Sequence, residues 1–166
     1  MERYTLSVLV ENNAGVLSRV VGLFSRRGFN IHSLSVGPTS DELISRITIE
    51  VKGDEQLIEQ ISKQLFKIME VIKIKTLKES ESVKRGLVLV KIKATPKTRS
   101  EIMEIINVFR AKGVDISSTT LMAELTGNDN KINAFIDMVE QYGIEEIART
   151  GLTALERGTN TLKCDK

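Results

Sequence analysis

The sequence contains one cysteine, one histidine and no tryptophan among its 166 residues. Cys164 therefore has no partner for a disulfide within the chain. Together with His32 it supplies too few ligands for a zinc or nickel site built by this chain alone. Aromatic residues make up only 4% of the sequence, which argues against the base-stacking surfaces of single-strand nucleic-acid binders.

A charge excess of one sign is also missing. Residues 1–83 carry eleven basic and eleven acidic side chains, and residues 84–166 carry thirteen and eleven. Neither half has the basic surplus typical of a nucleic-acid-binding domain. No apolar run reaches the length of a membrane span, and no signal peptide precedes Tyr4. We therefore expect a cytoplasmic protein.

Groups that usually carry catalysis are few. The sequence has no P-loop and no dinucleotide fingerprint. His32 lies in a predicted strand with no nucleophile nearby in sequence, so we interpret it as a packed or edge histidine. Cys164 lies in a terminal segment that would position a reacting group poorly. The acidic residues of the predicted helices are interpreted as solvated: Glu55, Glu59, Glu101 and Glu104.

The most informative stretch is the strand-to-helix turn at residues 11–18, ENNAGVLS. Apolar residues alternate before it, as in a half-buried strand, and recur at helical spacing after it. Asn and Gly tolerate unusual dihedrals, and Gly lets a ligand approach the backbone. A helix N-terminus with unpaired N–H groups suits a carboxylate. The alternative is an ordinary turn in which Asn13 caps the helix.

The first half of the chain follows a βαββαβ order. The first helix should end at Gly28 in a Schellman motif, with Phe29 touching Phe24. A strand from Leu43 to Val51 should face the core with Leu43, Ile47, Ile49 and Val51, and a second helix should open at Gly53-Asp54. We assign residues 1–78 to this domain and residues 79–86, which are polar and without periodicity, to a linker.

The plan then repeats, so the fold class predicted is α+β with two ferredoxin-like βαββαβ domains in tandem. The second domain covers residues 87–157, with Asn128 or Asp129 capping its last helix. Residues 158–166 are expected to form a flexible tail. The repeat is supported by one constant offset: Phe24, Gly28, Asn30 and Ile31 fall over Phe109, Gly113, Asp115 and Ile116.

An amino-acid site fits the first half better than the second, because the second strand–helix turn at residues 94–98 contains Pro96 and no Asn–Gly pair. Asn12 adds a side-chain amide to the first turn, and Asn30 follows the far end of the same helix. These ends are about 20 Å apart at 1.5 Å per residue. If both asparagines contact one ligand, the second must come from another chain, which predicts a homodimer. RRM domains share this element order, but the predicted central strand at residues 43–49 carries no aromatic residue.

At these residues the sequence resembles a known family. The first half resembles an ACT domain, a module that commonly binds amino acids. The run SVLVENNAGVLSRVVGLFSRRGFNIHSLSVGPT, followed by SRITIEV, is similar to the small regulatory subunit of acetolactate synthase (acetohydroxyacid synthase). The similarity extends over nearly the whole chain and is strongest over residues 4–75. His32 departs from the acidic residue that some members carry there.

The resemblance implies a protein that is not catalytic alone. It would activate a large catalytic subunit and confer feedback inhibition by valine or a related branched-chain amino acid. Thiamine diphosphate, Mg²⁺ and FAD would be bound only by the large subunit, and no cofactor by this chain. The effector would lie between paired ACT domains, facing Asn12, Gly15, Val16 and Leu17 of one protomer and Asn30 and Ile31 of the other.

Two other interpretations remain open from the sequence. One is a free-standing ACT sensor that controls another enzyme or a transcriptional system. The other is a small enzyme of ferredoxin-like fold, such as an acylphosphatase type. Co-purification with a thiamine-dependent subunit distinguishes the first from a regulatory subunit, and turnover by the isolated chain would support the second.

Overall fold

The computed structural model describes residues 2–163, which form two units. The first comprises the residues up to Val83 together with those from Gly151 onwards, and the second comprises Lys84–Thr150. Each unit has its own hydrophobic core. No helix in residues 2–163 is long and apolar enough to cross a membrane.

The first unit has the predicted βαββαβ order. Its elements are β1 (Glu2–Glu11), α1 (Val16–Arg27), β2 (Ile31–Pro38), β3 (Ile44–Gly53), α2 (Glu55–Leu65) and β4 (Val71–Leu77). The strands form an antiparallel sheet in the order β2-β3-β1-β4. Strands β2 and β4 therefore lie at the edges, and the ferredoxin-like prediction is confirmed for this unit.

The core of the first unit lies between the sheet and its two helices. On the central strands, Leu6 pairs with Ile49 and Val8 pairs with Ile47. Because strand side chains alternate between faces, these four point to one side, where they are fully buried. The helices complete the core with Val16, Val20, Leu23, Phe24, Ile58, Ile61 and Leu65.

Leu43 differs from the prediction that it faces this core. It precedes β3, which begins at Ile44, and its side chain is 77% exposed. Its carbonyl instead accepts a hydrogen bond from the backbone N–H of Asn12. The predicted strand therefore begins one residue too early. The alternation of apolar residues does not distinguish a leucine in the preceding turn from a leucine in the strand.

The second unit repeats the plan. Its elements are β5 (Ser82–Lys93, whose first two residues belong to the first unit), α3 (Arg99–Val108), β6 (Lys112–Ile116), β7 (Thr120–Gly127), α4 (Asp129–Glu140) and β8 (Ile144–Arg149), with the strands in the order β6-β7-β5-β8. Phe135, Ile102 and Ile106 are among its most buried side chains. A last strand, β9 (Thr153–Glu156), belongs to the first unit.

The caps of two helices agree with the sequence. Asp54 Oδ1 accepts the N–H of Leu57 at 2.8 Å and caps α2. Asn128 Oδ1 accepts the N–H of Lys131 at 3.0 Å and caps α4. Asn128 rather than Asp129 is therefore the N-cap residue of α4.

The end of α1 is the Schellman motif that the sequence predicts. Gly28 has φ 68°, its N–H donates to the carbonyl of Ser25, and the N–H of Phe29 donates to the carbonyl of Phe24. The rings of Phe24 and Phe29 meet edge to face with centroids 6.1 Å apart. The hydrophobic contact that accompanies this motif is thus present.

The matching of Gly113 to Gly28 is wrong. Helix α3 ends at Val108, and Gly113 already lies in strand β6. Arg110 takes the left-handed conformation instead, with φ 55°, and the N–H of Ala111 donates to the carbonyl of Ile106 at 2.8 Å. The motif therefore comes three residues earlier than the constant offset places it, since a non-glycine residue fills its left-handed position.

The segments predicted as linker and tail are more ordered than expected. Residues 82–86 lie within strand β5, and the Ser82 hydroxyl donates to the carbonyl of Lys78 at 2.6 Å. After β9, Leu162 is only 9% exposed. Residues 151–163, hereafter the C-terminal segment, therefore form part of the first unit, and a domain boundary at residue 157 does not describe the structure. Cys164 and the two residues after it lie outside the described residues.

Candidate functional site

The turn between β1 and α1 requires glycine at one position. Gly15 is the N-cap residue of α1 and has φ 84° and ψ −8°, in the left-handed region. A Cβ atom built on Gly15 would meet no atom within 4 Å. The requirement is therefore conformational rather than steric, and the space beside Gly15 is open.

The first turn of α1 has no side-chain cap. The amide of Asn13 donates to Glu11 Oε2 at 2.8 Å, so the alternative that Asn13 caps the helix is wrong. The N–H of Val16 donates to the carbonyl of Asn13 at 3.3 Å, but no residue in 2–163 accepts from the backbone N–H of Leu17 or Ser18. Two donors at the positive end of the helix dipole thus remain available to a ligand.

Asn12 connects this turn to the loop between β2 and β3. Its side-chain Nδ2 donates to the carbonyl of Glu42 at 2.8 Å, and its backbone N–H donates to the carbonyl of Leu43 at 2.7 Å. The side-chain donor is therefore used within the protein. Its Oδ1 accepts from none of the described residues and is the atom that can still bind a donor.

The charged side chains near the turn have partners within the protein. Arg19 Nη2 lies 2.5 Å from Glu70 Oε1, and the carbonyl of Glu70 accepts the N–H of Glu11. The carboxylate of Glu11 in turn accepts the amide of Asn13. An anion placed at this turn would therefore meet backbone dipoles, because the nearby cation Arg19 is already paired.

The predicted site residues of α1 face different ways. Val16 is 2% exposed and packs in the core, so only its backbone can contact a ligand. Leu17 is 38% exposed and Val21, one turn later, is 39% exposed. These two side chains form a small apolar surface on the solvent side of the helix.

Asn30 and Ile31 lie at the other end of α1. Asn30 is exposed, and Ile31 begins strand β2 opposite Val51. Helix α1 has 12 residues, which corresponds to about 18 Å of rise. Within one chain the structure does not bring Asn30 and Ile31 to the Asn12–Gly15 turn, so a site that included both groups of residues would require a second chain.

The corresponding turn of the second unit uses its own polar groups. The N–H of Thr95 donates to Thr98 Oγ1 at 3.0 Å, and the N–H of Thr98 donates to Thr95 Oγ1 at 3.3 Å. These reciprocal bonds occupy groups that a ligand would otherwise contact.

The other residues considered for catalysis remain on the surface. His32 is exposed on strand β2. Glu59 pairs with Lys63 at 2.7 Å, and the hydrogen bond and charge of Lys63 lower the pKa of Glu59. Glu101 accepts the hydroxyl of Tyr142 at 3.0 Å. These contacts are those of solvated helix faces.

Sequence reasoning missed a cleft on the face of the first sheet opposite the helices. Its walls include Arg46 of β3 and Leu162 of the C-terminal segment. The alternation of β3 does place Arg46 on that face. Nothing local in the sequence indicates that residues 151–163 return to cover it, because their contacts are with strands more than 70 residues away.

Known proteins resemble both units. A family model described as an AHAS small subunit-like ACT domain matches residues 6–73, and one described as the small subunit of acetolactate synthase matches residues 85–158. The first match confirms the ACT domain predicted for the first half.

Similarity to individual proteins extends over nearly the full length. A protein of Archaeoglobus fulgidus described as a "probable acetolactate synthase small subunit" is 52% identical over 94% of this chain and 98% of its own. The acetolactate synthase small subunit of Mycolicibacterium smegmatis is 50% identical over 93% of this chain and 91% of its own. The crystal structure of the Thermotoga maritima acetolactate synthase small subunit is 39% identical, covers 96% of this chain and 100% of its own, and superimposes with a TM-score of 0.90. The chain belongs to the family of acetolactate synthase small subunits.

Proposed function

We propose that this chain is the regulatory subunit of an acetolactate synthase and binds a branched-chain amino acid, valine in the first instance, between two ACT domains. The observation that carries the proposal is the uncapped first turn of α1 beside an open left-handed glycine. Family membership agrees with a regulatory small subunit rather than an enzyme complete in itself.

The carboxylate of the effector is assigned to the backbone N–H groups of Leu17 and Ser18. A hydrogen bond to a charged group contributes about 1.5–3 kcal/mol, and the helix dipole adds about 0.3–1 kcal/mol. Asn12 Oδ1 is an acceptor suited to the ammonium group of the same ligand, and its orientation is fixed by the bond to Glu42. The carboxylate and the ammonium group of one amino acid would thereby both be bound at the turn between β1 and α1.

The apolar side chain of the effector needs a wall that one protomer lacks. We assign this role to Leu17 of one chain and to Ile31 of a second chain, next to its Asn30. Strand β2 is an edge strand, so its outer hydrogen-bonding groups are available for a second copy, and an unpaired edge is a liability for a soluble domain. A symmetric dimer would pair these edges and form two equivalent sites.

The relatives are named as small subunits of acetolactate synthase, and we extend that assembly to this chain. It would bind and activate a large catalytic subunit, and effector binding would produce feedback inhibition. Thiamine diphosphate, Mg²⁺ and FAD are assigned to the large subunit alone.

Titration calorimetry of the purified chain with valine, leucine and isoleucine tests the effector, with D-valine as a matched control for stereospecific recognition. Sedimentation in the same buffer tests the dimer. Saturable binding of L-valine to a dimer supports the proposal. A monomer at micromolar concentration with effector present, or no binding of any of the three amino acids, contradicts the interface site.

A free-standing sensor is distinguished by partner capture. The tagged chain should co-purify with a thiamine-dependent large subunit and raise its activity. Binding of valine without capture or activation of that subunit would favour a sensor that acts on a different target.

A further inference from the structure

The cleft opposite the helices of the first unit has no part in the proposed amino-acid site. Its volume is about 1100 Å³. One wall is formed by strands β2 and β3, and the other by the C-terminal segment. Ligand pockets commonly have volumes of about 300–1,000 Å³, so this cleft can accommodate a small molecule.

Arg46 places a cation in this cleft. Its Nη1 donates to Ser7 Oγ at 2.9 Å, and its Nη2 donates to the carbonyl of Leu162 at 3.1 Å. Both partners are neutral, and no carboxylate in residues 2–163 forms an ion pair with Arg46. A guanidinium has five N–H donors, so several remain after these two bonds.

Arg46 is also partly withdrawn from water. Desolvation by burial lowers the pKa of its guanidinium. A half-buried cation without a counter-charge is costly, and an incoming anion would remove that cost. Ser7 and Leu162 hold the side chain in place before any ligand arrives.

The acidic residues of the cleft do not neutralise Arg46. Glu156 pairs with Lys75 at 2.5 Å, and Asp41 Oδ1 accepts the N–H of Leu43 at 3.0 Å. Glu42 is exposed, as is Lys163, the other basic residue of the lining.

The remaining lining is suited to an apolar body. Leu9 and Leu77 are buried beneath it, while Leu155 is 55% exposed at its rim. A ligand that covers Leu155 would remove apolar surface from water at about 25 cal/mol per Å².

The geometry points to a second ligand site, in which Arg46 binds the carboxylate of a small organic monocarboxylate whose apolar body lies against Leu9, Leu77 and Leu155. This site is separate from the α1 turn and does not depend on the proposed amino-acid site. The site should therefore select ligands that combine one negative charge with an apolar body.

Hexanoate is a suitable probe, and 1-hexanol is its uncharged counterpart. Titration of ¹⁵N-labelled wild-type protein with hexanoate should give saturable shifts of the amides of Ser35, Thr48 and Leu162. Hexanol should bind about tenfold more weakly or not at all, since it lacks the charge that pairs with arginine. Arg46→Gln should weaken hexanoate binding by a similar factor, whereas Arg26→Gln, at an arginine outside the cleft, should leave it unchanged.

The proposed second site is overturned if hexanoate shifts no amide of the cleft, if hexanol binds as tightly as hexanoate, or if a folded Arg46→Gln protein binds hexanoate like the wild type. The wild-type comparison of the two probes decides the question even if Arg46→Gln does not fold. Hexanoate could also reach the α1 turn, so Gly15→Asp serves as a further control. Cleft shifts that persist in Gly15→Asp support the second site, and shifts that vanish there assign hexanoate to the turn instead.

Discussion

Gly28 and Arg110 adopt the same left-handed conformation at the ends of α1 and α3, with φ of 68° and 55°. In each case the next residue donates its N–H to a carbonyl five residues earlier, Phe29 to Phe24 and Ala111 to Ile106. Only the end of α1 has glycine at this position, and glycine adopts the left-handed conformation at no steric cost. Substitutions at these two equivalent positions are therefore expected to change stability in opposite directions.

Gly28→Val should destabilise the first unit. A left-handed conformation costs a non-glycine residue about 1–2 kcal/mol, and β-branching increases the cost. Urea unfolding should show the loss as a lower midpoint. Gly37→Val is the matched control, because Gly37 lies in strand β2 without a positive φ and a Cβ there meets no atom within 4 Å. Equal midpoints for the two variants would contradict the role assigned to Gly28.

Arg110→Gly should stabilise the second unit. Relief of the left-handed strain gains about 1–2 kcal/mol, and the added freedom of glycine in the unfolded chain costs about 0.5–1 kcal/mol. We expect a net gain of about 0.5–1 kcal/mol in the free energy of unfolding. Lys97→Gly, also at an exposed position but without a positive φ, should give no gain. A lower stability of Arg110→Gly than of wild type would mean that the arginine side chain contributes more than its backbone costs.

The two asparagines that precede helices should differ in their contribution to stability. Asn128→Ala removes the cap of α4 and should cost about 0.5–2 kcal/mol. Asn13→Ala should change stability by no more than about 0.5 kcal/mol, because its amide bonds to Glu11 and leaves α1 uncapped. Thermal unfolding of the two variants and wild type measures both. Comparable losses would show that Asn13 caps α1 in solution.

Gly15→Asp should abolish the response to valine while the protein stays folded. Its carboxylate would occupy the open space beside the turn, and two like charges 4 Å apart repel by about 4 kcal/mol at an effective dielectric of 20. The helix dipole favours an acid here by about 0.3–1 kcal/mol, which offsets part of the left-handed strain. Valine binding and valine inhibition of the complex with the large subunit measure the effect.

Gly15→Ala is the matched control for that variant, since it imposes the same backbone strain at φ 84° without a charge. It should retain part of the valine response. Inhibition of Gly15→Asp at the wild-type level, in a folded protein, would place the effector elsewhere than the Asn12–Gly15 turn.

The sequence predicts most of the fold because periodicity is a local property. Alternation along β1 and β3, and helical spacing after Val16, follow from which face each side chain buries. The sequence places the end of α3 wrongly because Gly113 resembles a helix terminator, whereas the residue in the left-handed conformation, Arg110, has no local signature. Residue preference does not identify Arg110, because arginine is not among the non-glycine residues enriched in the left-handed region.

The candidate site was predictable only in part. The Asn–Gly turn is visible in the sequence, but the partners of its side chains are not. That Asn13 bonds to Glu11, and Asn12 to the carbonyl of Glu42 30 residues away, depends on how the chain is folded. Arg46 likewise reads as an ordinary solvent-facing residue of an alternating strand. Its partial burial depends on residues from the other end of the chain.

The position of the C-terminal segment in the first unit has a consequence for synthesis on the ribosome. When residue 83 has emerged, β1 to β4 are all present, yet Lys75 lacks Glu156 and Ser35 lacks the carbonyl of Leu152. The second unit is therefore translated as an insertion in a domain that is still incomplete. The first unit therefore gains its last contacts only after the second has been translated, and a gene truncated after the β4 codons would encode the ACT sheet without the C-terminal segment.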